Sequence, residues 1–557
     1  MNKKHFLGLF LVLSLCATGC NSNNGGNDEP SESDEPSQSQ PVDDNPIPAG
    51  QPGEFTFDQT ELDKAQDIHT DDQNKYLSLQ KEYYKITQSD LNNVNAKGST
   101  PDCSSPNAVT LHWNFKVPEG KTVSKYSVVF GQKADLSDGY KVDGTTAKKL
   151  DFYNPYLGNN YFKVVANYSD NTTQESPIKV FKVTEQAPRN LKVGSMVNCR
   201  DMGGRTTYAG GKIRQGLLYR TCGNKYNYST EIDDEGKEVM LHQLKVKTEI
   251  NVSDNTDYNF GNKLPGTTVK NAYMAYGNVP YSNLARNSVR IRQIMEILSN
   301  ESNYPAFYHC RIGTDRTGIT GVMIGGLIGI QFNEIMQDYL FSNFAAIGDQ
   351  RYPGKTPDNN GDDIKKYIDE ILALPGANFQ EQTYLALRMI GVPASQLDSI
   401  INIMTEGTKA VIPTTAKVGA GDDLQSTATK TTGDYKTPGV YYPVSSNGTV
   451  SYTATTTEGA KDVILYMGYT GNVTTSTSTK LSSALSLKID GETKTIGNTK
   501  NLWQAGFGPT KQDSRIGYMF NVLGNYEFTA GQHTIEIGVN SGTFNIASVT
   551  IADHPAA

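Results

Sequence analysis

Hydrophobic positions along this chain change their period twice. From residue 100 to 187 they alternate or fall in short runs, as in Val109-Thr-Leu-His-Trp-Asn-Phe115, Tyr126-Ser-Val-Val-Phe130 and Tyr161-Phe-Lys-Val-Val-Ala166. That is the two-residue period of strands, and turn residues separate the runs, so the stretch predicts one β-sandwich. From 188 to 412 short apolar strands at Lys212–Arg220 and Val246–Val252 alternate with helical spacing. Val289, Ile291, Ile294, Met295 and Leu298 line one helix face. Ile319, Val322, Met323, Ile324, Leu327, Ile328 and Ile330 crowd a helix that must be buried on most sides. Further helices are expected from Asn333, Asp362, Gln380 and Pro393. Strands interleaved with helices predict an α/β domain with a largely parallel sheet and flanking helices. Strand signals return over 433–557, at Thr449–Thr455, Val463–Tyr469, Leu485–Ile489 before an Asp490-Gly491 turn, and His533–Val539. The fold class expected is therefore multidomain, an α/β domain between two all-β sandwich domains.

The remaining stretches lack a period. Residues 21–53 are Asn, Ser, Gly, Asp, Glu and Pro with almost nothing apolar, which cannot repay the entropy of ordering and reads as a disordered linker. Residues 54–99 are polar with scattered Tyr and Leu, and predict partial helix. Residues 413–432, rich in Thr, Ala, Gly, Lys and Asp, read as a second linker. Residues 1–20 have a basic start, an apolar stretch from Phe6 to Leu15, and the ending Ala17-Thr-Gly-Cys20. The apolar stretch is too short to span a bilayer and fits a secretory signal. Its ending resembles a bacterial lipobox, with Cys20 as the lipidated residue, although Ala17 departs from the usual Leu. This implies an extracellular protein anchored to the membrane through its N-terminal lipid; ordinary cleavage and free secretion is the alternative.

Composition narrows the partners. With 51 Lys and Arg against 59 Asp and Glu, the formal charge of −8 argues against a nucleic-acid partner. Beyond residue 20 only Cys103, Cys199, Cys222 and Cys310 remain, too few for a disulfide-built scaffold.

The chemistry concentrates in Phe307-Tyr-His-Cys-Arg-Ile-Gly-Thr-Asp-Arg-Thr-Gly318. A strand should run into Cys310 and the buried helix should leave from Thr317. A tight loop between them, with Gly313 inside it, would turn backbone N–H groups inward while the helix aims its positive end at the same point. Such a field favours a thiolate at Cys310. Arg316 can clamp two phosphoryl oxygens with its planar fork. The suited reaction is displacement on a phosphate monoester through a phosphocysteine intermediate. The pattern calls for no cofactor and shows no metal-ligand spacing. Gly318, Gly321, Gly325 and Gly329 recur along the helix and predict close packing of one face.

Cys-(five residues)-Arg preceded by His resembles the protein tyrosine phosphatase signature. His309-Cys310-Arg311-Ile312-Gly313-Thr314-Asp315-Arg316-Thr317-Gly318 resembles the bacterial tyrosine/lipid phosphatase family that carries an Asp inside its phosphate loop. Asn198-Cys199-Arg200-Asp201-Met202-Gly203-Gly204 is similar to that family's Asn-Phe-Arg-Asp-Leu-Gly-Gly, Gly216–Thr221 to its next strand, and Asp338–Asn343 to a helix after the loop. The resemblance covers roughly residues 190–410. It implies Cys310 as nucleophile and Arg316 as phosphate clamp. Residues 311–316 (Arg311, Ile312, Gly313, Thr314, Asp315 and Arg316) bind the phosphoryl group. His309 orders the loop and Thr317 hydrogen-bonds the sulfur. Asp315 is the implied general acid, with Asp254 or Asp257 as rivals; Arg200 and Asp201 are implied scaffolding near the site. Thr314 stands where many relatives carry Lys, which tilts the expected substrate from phosphoinositides or inositol phosphates toward phosphotyrosine-type proteins. Cys199 and Cys222 fall on elements expected to lie close together, either bridged or as separate thiols. Cys199 is also the candidate to capture an oxidised Cys310, against the simpler reading of a small buried hydrophobe.

Leu157-Gly-Asn-Asn-Tyr161 with Trp113 resembles a fibronectin type III module. Leu523–Ile537 followed by Phe544–Ile551 resembles the last strands of jelly-roll carbohydrate-binding modules. The second resemblance implies a glycan ligand, with Trp503, Tyr442 and Tyr466 as candidate aromatics, each also placeable in core or rim. A non-catalytic adhesin or glycan-binding scaffold is the reading of a different class.

Overall fold

The computed structural model describes residues 46–223, 225–226, 230–253, 264–274, 284–353, 363–409, 412, 416–432, 439–470, 477–502 and 518–554. Cys20, Asp254, Asp257 and Trp503 lie outside them. Among the described residues no helix is long and apolar enough to cross a membrane.

The first sandwich is larger than its periodicity announces. Its main sheet pairs Val123–Gly131, Gly158–Tyr168 and Lys179–Val183 antiparallel, and Ala65–Gln66 adds to Lys179–Val183 in parallel. Phe55–Thr56 pairs with Asn114–Phe115. Trp113 is fully buried beside Tyr126, Phe115 and Phe162. So the stretch expected as a separate polar segment, 54–99, supplies two strands to this sandwich. It then forms helices Asp71–Leu77 and Gln88–Asn93, each opened by a threonine capping box. Its apolar residues show no single period because they serve two cores: Phe55, Leu62 and Ile68 face the sandwich, whereas Tyr76, Tyr83, Ile86, Leu91, Val94 and Ala96 enter the core of the central domain.

The central domain contains β1 (Arg189–Asn190), β2 (Arg200–Asp201), β3 (Leu218–Thr221), β4 (Thr248–Asn251), β5 (Thr268–Asn271), α1 (Leu284–Leu298), β6 (Ala306–His309), α2 (Asp315–Leu327), α3 (Phe332–Phe341), α4 (Asp363–Leu372), α5 (Phe379–Met389) and α6 (Ala394–Met404). The sheet order is β1-β2-β3-β6-β4-β5. β3, β6, β4 and β5 are mutually parallel, and β1 and β2 form an antiparallel edge. The expected strand Lys212–Arg220 is broken after Ile213, because Gly216 turns with a φ of +80° and donates its N–H to Asp201 Oδ2 at 2.7 Å. α2 is buried along its length. Of the expected glycine stripe, Gly318, Gly321 and Gly325 lie in the helix, whereas Gly329 falls beyond its end with a φ of +86°. The stripe lets neighbours in closely: a Cβ at Gly318 would stand 2.7 Å from the Tyr339 ring, and one at Gly325 3.1 Å from Ile335 Cγ1.

The second sandwich begins earlier than expected. Lys417–Ala420, Leu424–Ser426 and Thr431–Thr432 are strands of its two sheets, so most of the stretch read as a linker is structured. Their mostly polar side chains leave little hydrophobic trace, although Leu424 is buried in the sandwich core and Val418 packs against the central domain. One sheet turns Ile464, Tyr466, Ala547 and Ala552 into the central domain's hydrophobic core. Arg292 of α1 reaches Gly439 there, where a Cβ would stand 1.9 Å from its guanidinium.

Candidate active site

β6 delivers His309 and Cys310, and α2 starts at Asp315; residues 310–314 form the loop between them. Gly313 has a φ of +73°, and a Cβ there would lie 2.6 Å from the Thr221 carbonyl oxygen. The loop is thus seated against the end of β3.

The loop's carbonyls are gripped from behind. Asn198 donates from Nδ2 to the carbonyls of Ile312 and Gly313, both at 3.1 Å. Arg220 donates from Nη2 to the Gly313 carbonyl at 2.9 Å. The His309 ring Nδ1 lies 3.0 Å from the Cys310 carbonyl, and its Nε2 2.9 Å from Glu249. In a trans peptide the C=O and the following N–H point in opposite directions. Carbonyls drawn back at 310, 312 and 313 therefore turn the N–H groups of Arg311, Gly313 and Thr314 to the other side, which is the anion cradle. Both nitrogens of His309 face acceptors. Burial pushes its pKa down, but the Glu249 carboxylate more than offsets this and the net shift is upward.

Asn198 and Arg220 are themselves held by a buried charge cluster. Asp338 of α3 accepts from Arg200 Nε at 3.1 Å, from Arg205 Nη2 at 2.9 Å and from Arg220 Nη1. Arg200 also donates to Asn198 Oδ1. Burial would raise the Asp338 carboxyl, but the three guanidiniums hold it well below the usual carboxylate range. Behind Asn198, its backbone N–H donates to Ser104 Oγ at 3.0 Å. Residues 96–105 form a strap there, joined also to the segment after α3 by Gly98 N–H to Asn343 O and Cys103 N–H to Phe344 O.

Cys310 is buried at the loop's base. Burial alone would raise its thiol pKa; the Arg316 charge and a hydrogen bond from Thr317 outweigh that, leaving it lowered. Thr317 Oγ1 also accepts the Cys310 N–H at 2.8 Å. The other two thiols of the region behave oppositely, with burial pushing Cys222 up to about 12 and Cys199 well above its ordinary value. Both are free, not bridged. Cys199 packs with Tyr219 and Phe307 on the sheet face opposite the core that holds Cys310, and β3 lies between their strands. That placement removes it as a resolving thiol for Cys310 and leaves it a small buried hydrophobe.

The other expected residues separate. Arg316 and Thr317 are buried at the start of α2, while Arg311 and Ile312 are half-buried. The Thr314 side chain is buried and turned back to Asn198, 3.3 Å from Nδ2. Asp201 faces away and braces Arg189 at 2.8 Å and the N–H groups of Gly203 and Gly216. Asp315 meets a residue that sequence reasoning missed. Arg351 donates from Nε to Oδ1 at 2.9 Å and from Nη2 to Oδ2 at 3.2 Å. Burial would raise the Asp315 carboxyl, yet Arg351 keeps it below its ordinary value. An acid needs a proton to give, so this pairing opposes the role implied for Asp315 in the state described here. Glu249, Arg205 and Asp338 were also missed as loop supports. A charged residue inside a strand as apolar as Leu218–Thr221 must find a buried partner, so Arg220 carried a usable signal. Arg351, in an aperiodic Pro/Gly-flanked loop, carried none.

Residues 191–407 match the tyrosine phosphatase family. The match covers the phosphatase domain from β1's neighbour to the last helix and contains every side chain of the cradle. No curated protein matches the chain. Among solved structures, the core catalytic domain of the PP-IP phosphatase SIW14 from S. cerevisiae is 23% identical, covering 24% of this chain and 77% of that one, with a TM-score of 0.19. The CBM36-1 domain of a multidomain xylanase from the hindgut metagenome of Trinervitermes trinervoides is 19% identical over 25% of this chain and 99% of its own, TM-score 0.18. CBM35 from Cellvibrio japonicus Abf62 is 10% identical over 25% and 94%, TM-score 0.19. Of the aromatics considered for a glycan, Tyr442 is buried with its hydroxyl on the Gly421 and Leu424 carbonyls, and Tyr466 is buried against the phosphatase domain. Neither offers a sugar-binding platform.

Proposed function

We propose that the phosphatase domain hydrolyses phosphate monoesters of the phosphotyrosine type outside the cell. The observation that carries this reading is a depressed-pKa Cys310 thiol under a loop whose carbonyls are bonded outward, with the buried Arg316 charge acting on it from the start of α2. In the first step Cys310 Sγ attacks phosphorus as the bond to the leaving oxygen breaks. Arg316 and the inward N–H groups hold the equatorial oxygens and their growing charge. In the second step water attacks the phosphocysteine, and the sulfur leaves as a thiolate stabilised by the Thr317 hydroxyl. Thr314, short and turned inward, offers no cation to a second phosphate, which favours a monoester on a protein over a polyphosphorylated lipid.

The test is hydrolysis of an aryl phosphate by the full chain in the presence of chelator. Cys310→Ser should lose activity on the order of a thousandfold or more, because the covalent route goes with the nucleophile. Retained activity would refute the phosphocysteine route, and no turnover by the parent would favour the adhesin or glycan-scaffold reading. The lipobox-like ending supports a lipid anchor at Cys20; membrane fractions should hold the parent and release Cys20→Ala, and equal retention would exclude it.

A further inference from the structure

Asn198 spends its side chain at both ends. Its Oδ1 accepts from Arg200, and its Nδ2 donates to the Ile312 and Gly313 carbonyls. The residue is fully buried with a φ of +61°, a left-handed conformation that a residue with a Cβ leaves unless something holds it. Its backbone N–H is a third handle, and that group donates to Ser104 Oγ at 3.0 Å. The Ser104 hydroxyl has one proton, and it is committed to Asp102, 2.9 Å from Oδ1 and 3.2 Å from Oδ2. Its lone pairs are left to the Asn198 N–H, which can only donate. The strap is fixed on both sides of this serine. The Gln73 amide of helix Asp71–Leu77 donates to the Cys103 carbonyl at 2.8 Å and to the Ser105 carbonyl at 3.1 Å. The Asn190 amide donates to the carbonyl of Ser104 itself at 3.1 Å, and the Cys103 N–H to Phe344 O at 2.8 Å. Gln73 and Asn190 are fully buried, and Ser104 is 3% exposed. Two interior amides thus serve the backbone around one hydroxyl. Ser104 stands 94 residues before Asn198 in the chain and outside the matched segment 191–407.

We propose that Ser104 is a positioning residue for the phosphate cradle, supplied by the strap from outside the matched segment: through the Asn198 N–H it holds Asn198 in the left-handed conformation from which its carboxamide draws back the loop carbonyls, and so it sets how tightly the cradle grips a phosphoryl group. The proposal rests on the reading of residues 310–316 as a phosphate cradle. Without the hydroxyl, the Asn198 N–H is a buried donor with no acceptor, a state the chain relieves by turning that peptide. The turn carries φ toward the negative values that residues with a Cβ prefer, and it swings the carboxamide off Ile312 and Gly313. Released carbonyls let the N–H groups of Gly313 and Thr314 drift from the point where they converge. Ser104 touches neither substrate nor nucleophile; its effect passes through Asn198.

The experiment uses the full chain, with inorganic phosphate as the bound probe and an aryl phosphate as the substrate. Titration calorimetry reads phosphate affinity, and kcat/KM and melting temperature are measured on the same samples. Ser104→Ala should weaken phosphate binding and lower kcat/KM together by about tenfold, the size of one lost hydrogen bond to a charged group. A brace that only stabilised the fold would lower the melting temperature and leave the folded protein's phosphate affinity where it was. The deciding comparison is the double-mutant cycle with Asn198→Ala. Asn198→Ala alone should cost at least as much as Ser104→Ala, and adding Ser104→Ala to it should cost nothing further in affinity or kcat/KM. Ser104→Cys, which keeps the side chain's shape but offers a weak acceptor, should follow Ser104→Ala, and it takes the same place in the cycle if Ser104→Ala does not fold. Phosphate affinity equal to the parent's in a folded Ser104→Ala would overturn the proposal. So would equal losses from Ser104→Ala with and without the Asn198 side chain, since the strap would then act by another route. A parent that binds phosphate but hydrolyses no ester would refute the hydrolase reading alone, and the binding cycle would still decide the role of Ser104. A parent that binds no phosphate would overturn both.

Discussion

Asp338 is one carboxylate shared by three buried arginines, and it sits two bonds of contact from the phosphate loop through Arg220 and Arg200. Replacing it by Asn leaves three guanidiniums in the interior with no counter-charge. Breaking a buried pair in this way costs about 3–5 kcal/mol, so Asp338→Asn should lower the melting temperature markedly and loosen the loop before the nucleophile is touched. The pH dependence follows from the depressed folded pKa of Asp338. Its stabilisation is complete above the unfolded carboxyl pKa, about 3.9, and is lost as pH falls from there toward the folded value. The stability gap between parent and variant should therefore be constant from pH 7 to about 4 and narrow only in stronger acid. A gap that closes between pH 7 and 5 would show that another group sets it. His309 runs the other way, because its folded pKa is raised. Its pair with Glu249 contributes fully below about pH 6.5 and is lost as pH rises through the folded value. Cys310, Arg316 and Thr317 were legible from the sequence because their spacing is their chemistry. Asn198 was legible only as part of a resemblance, and its task, pulling two carbonyls backward, depends on a left-handed φ of +61° that no residue pattern displays.

At the scale of elements, the strand–loop–helix unit was readable because an apolar strand, a glycine and an all-round apolar helix leave few other arrangements. Gly313 joins these parts. Alanine there would need a positive φ and would stand 2.6 Å from the Thr221 carbonyl oxygen, so the loop must lift off β3. Gly313→Ala should fold, because α2 and β6 keep their own packing, while phosphatase activity drops about a hundredfold; the loop's N–H groups would no longer converge, and each misplaced oxyanion donor costs on the order of 10²-fold. Parallel melting curves with retained activity would contradict this. The edge strands at 417–432 and the strands at Phe55–Thr56 and Ala65–Gln66 escaped the sequence for the opposite reason. They are two to four residues long, too short to show a period, and each joins its sheet by backbone pairing with at most one buried apolar side chain, such as Phe55 or Leu424.

The whole molecule does not divide where the family match does. Residues 191–407 contain the cradle, but their core is completed by Tyr76, Tyr83, Leu91 and Val94 from one side and by Ile464, Tyr466, Ala547 and Ala552 from the other. The isolated segment 188–412 should therefore aggregate or melt without cooperativity, whereas residues 47–557 melt as a folded protein; calorimetry of both decides, and a sharp transition in the short segment near that of the long one would refute the dependence. The segment that precedes the strap adds a consequence in time. The chain is made from its N-terminus, so Tyr76, Tyr83, Leu91 and Val94 emerge long before the helix around Phe341 that receives Tyr76. At about 5–20 residues per second, synthesis of the roughly 250 intervening residues takes on the order of ten to fifty seconds. Through that interval an aromatic, apolar face stands open on an otherwise finished sandwich, a landing place for whatever holds nascent chains, which must let go only when the phosphate loop is ready to be closed over it.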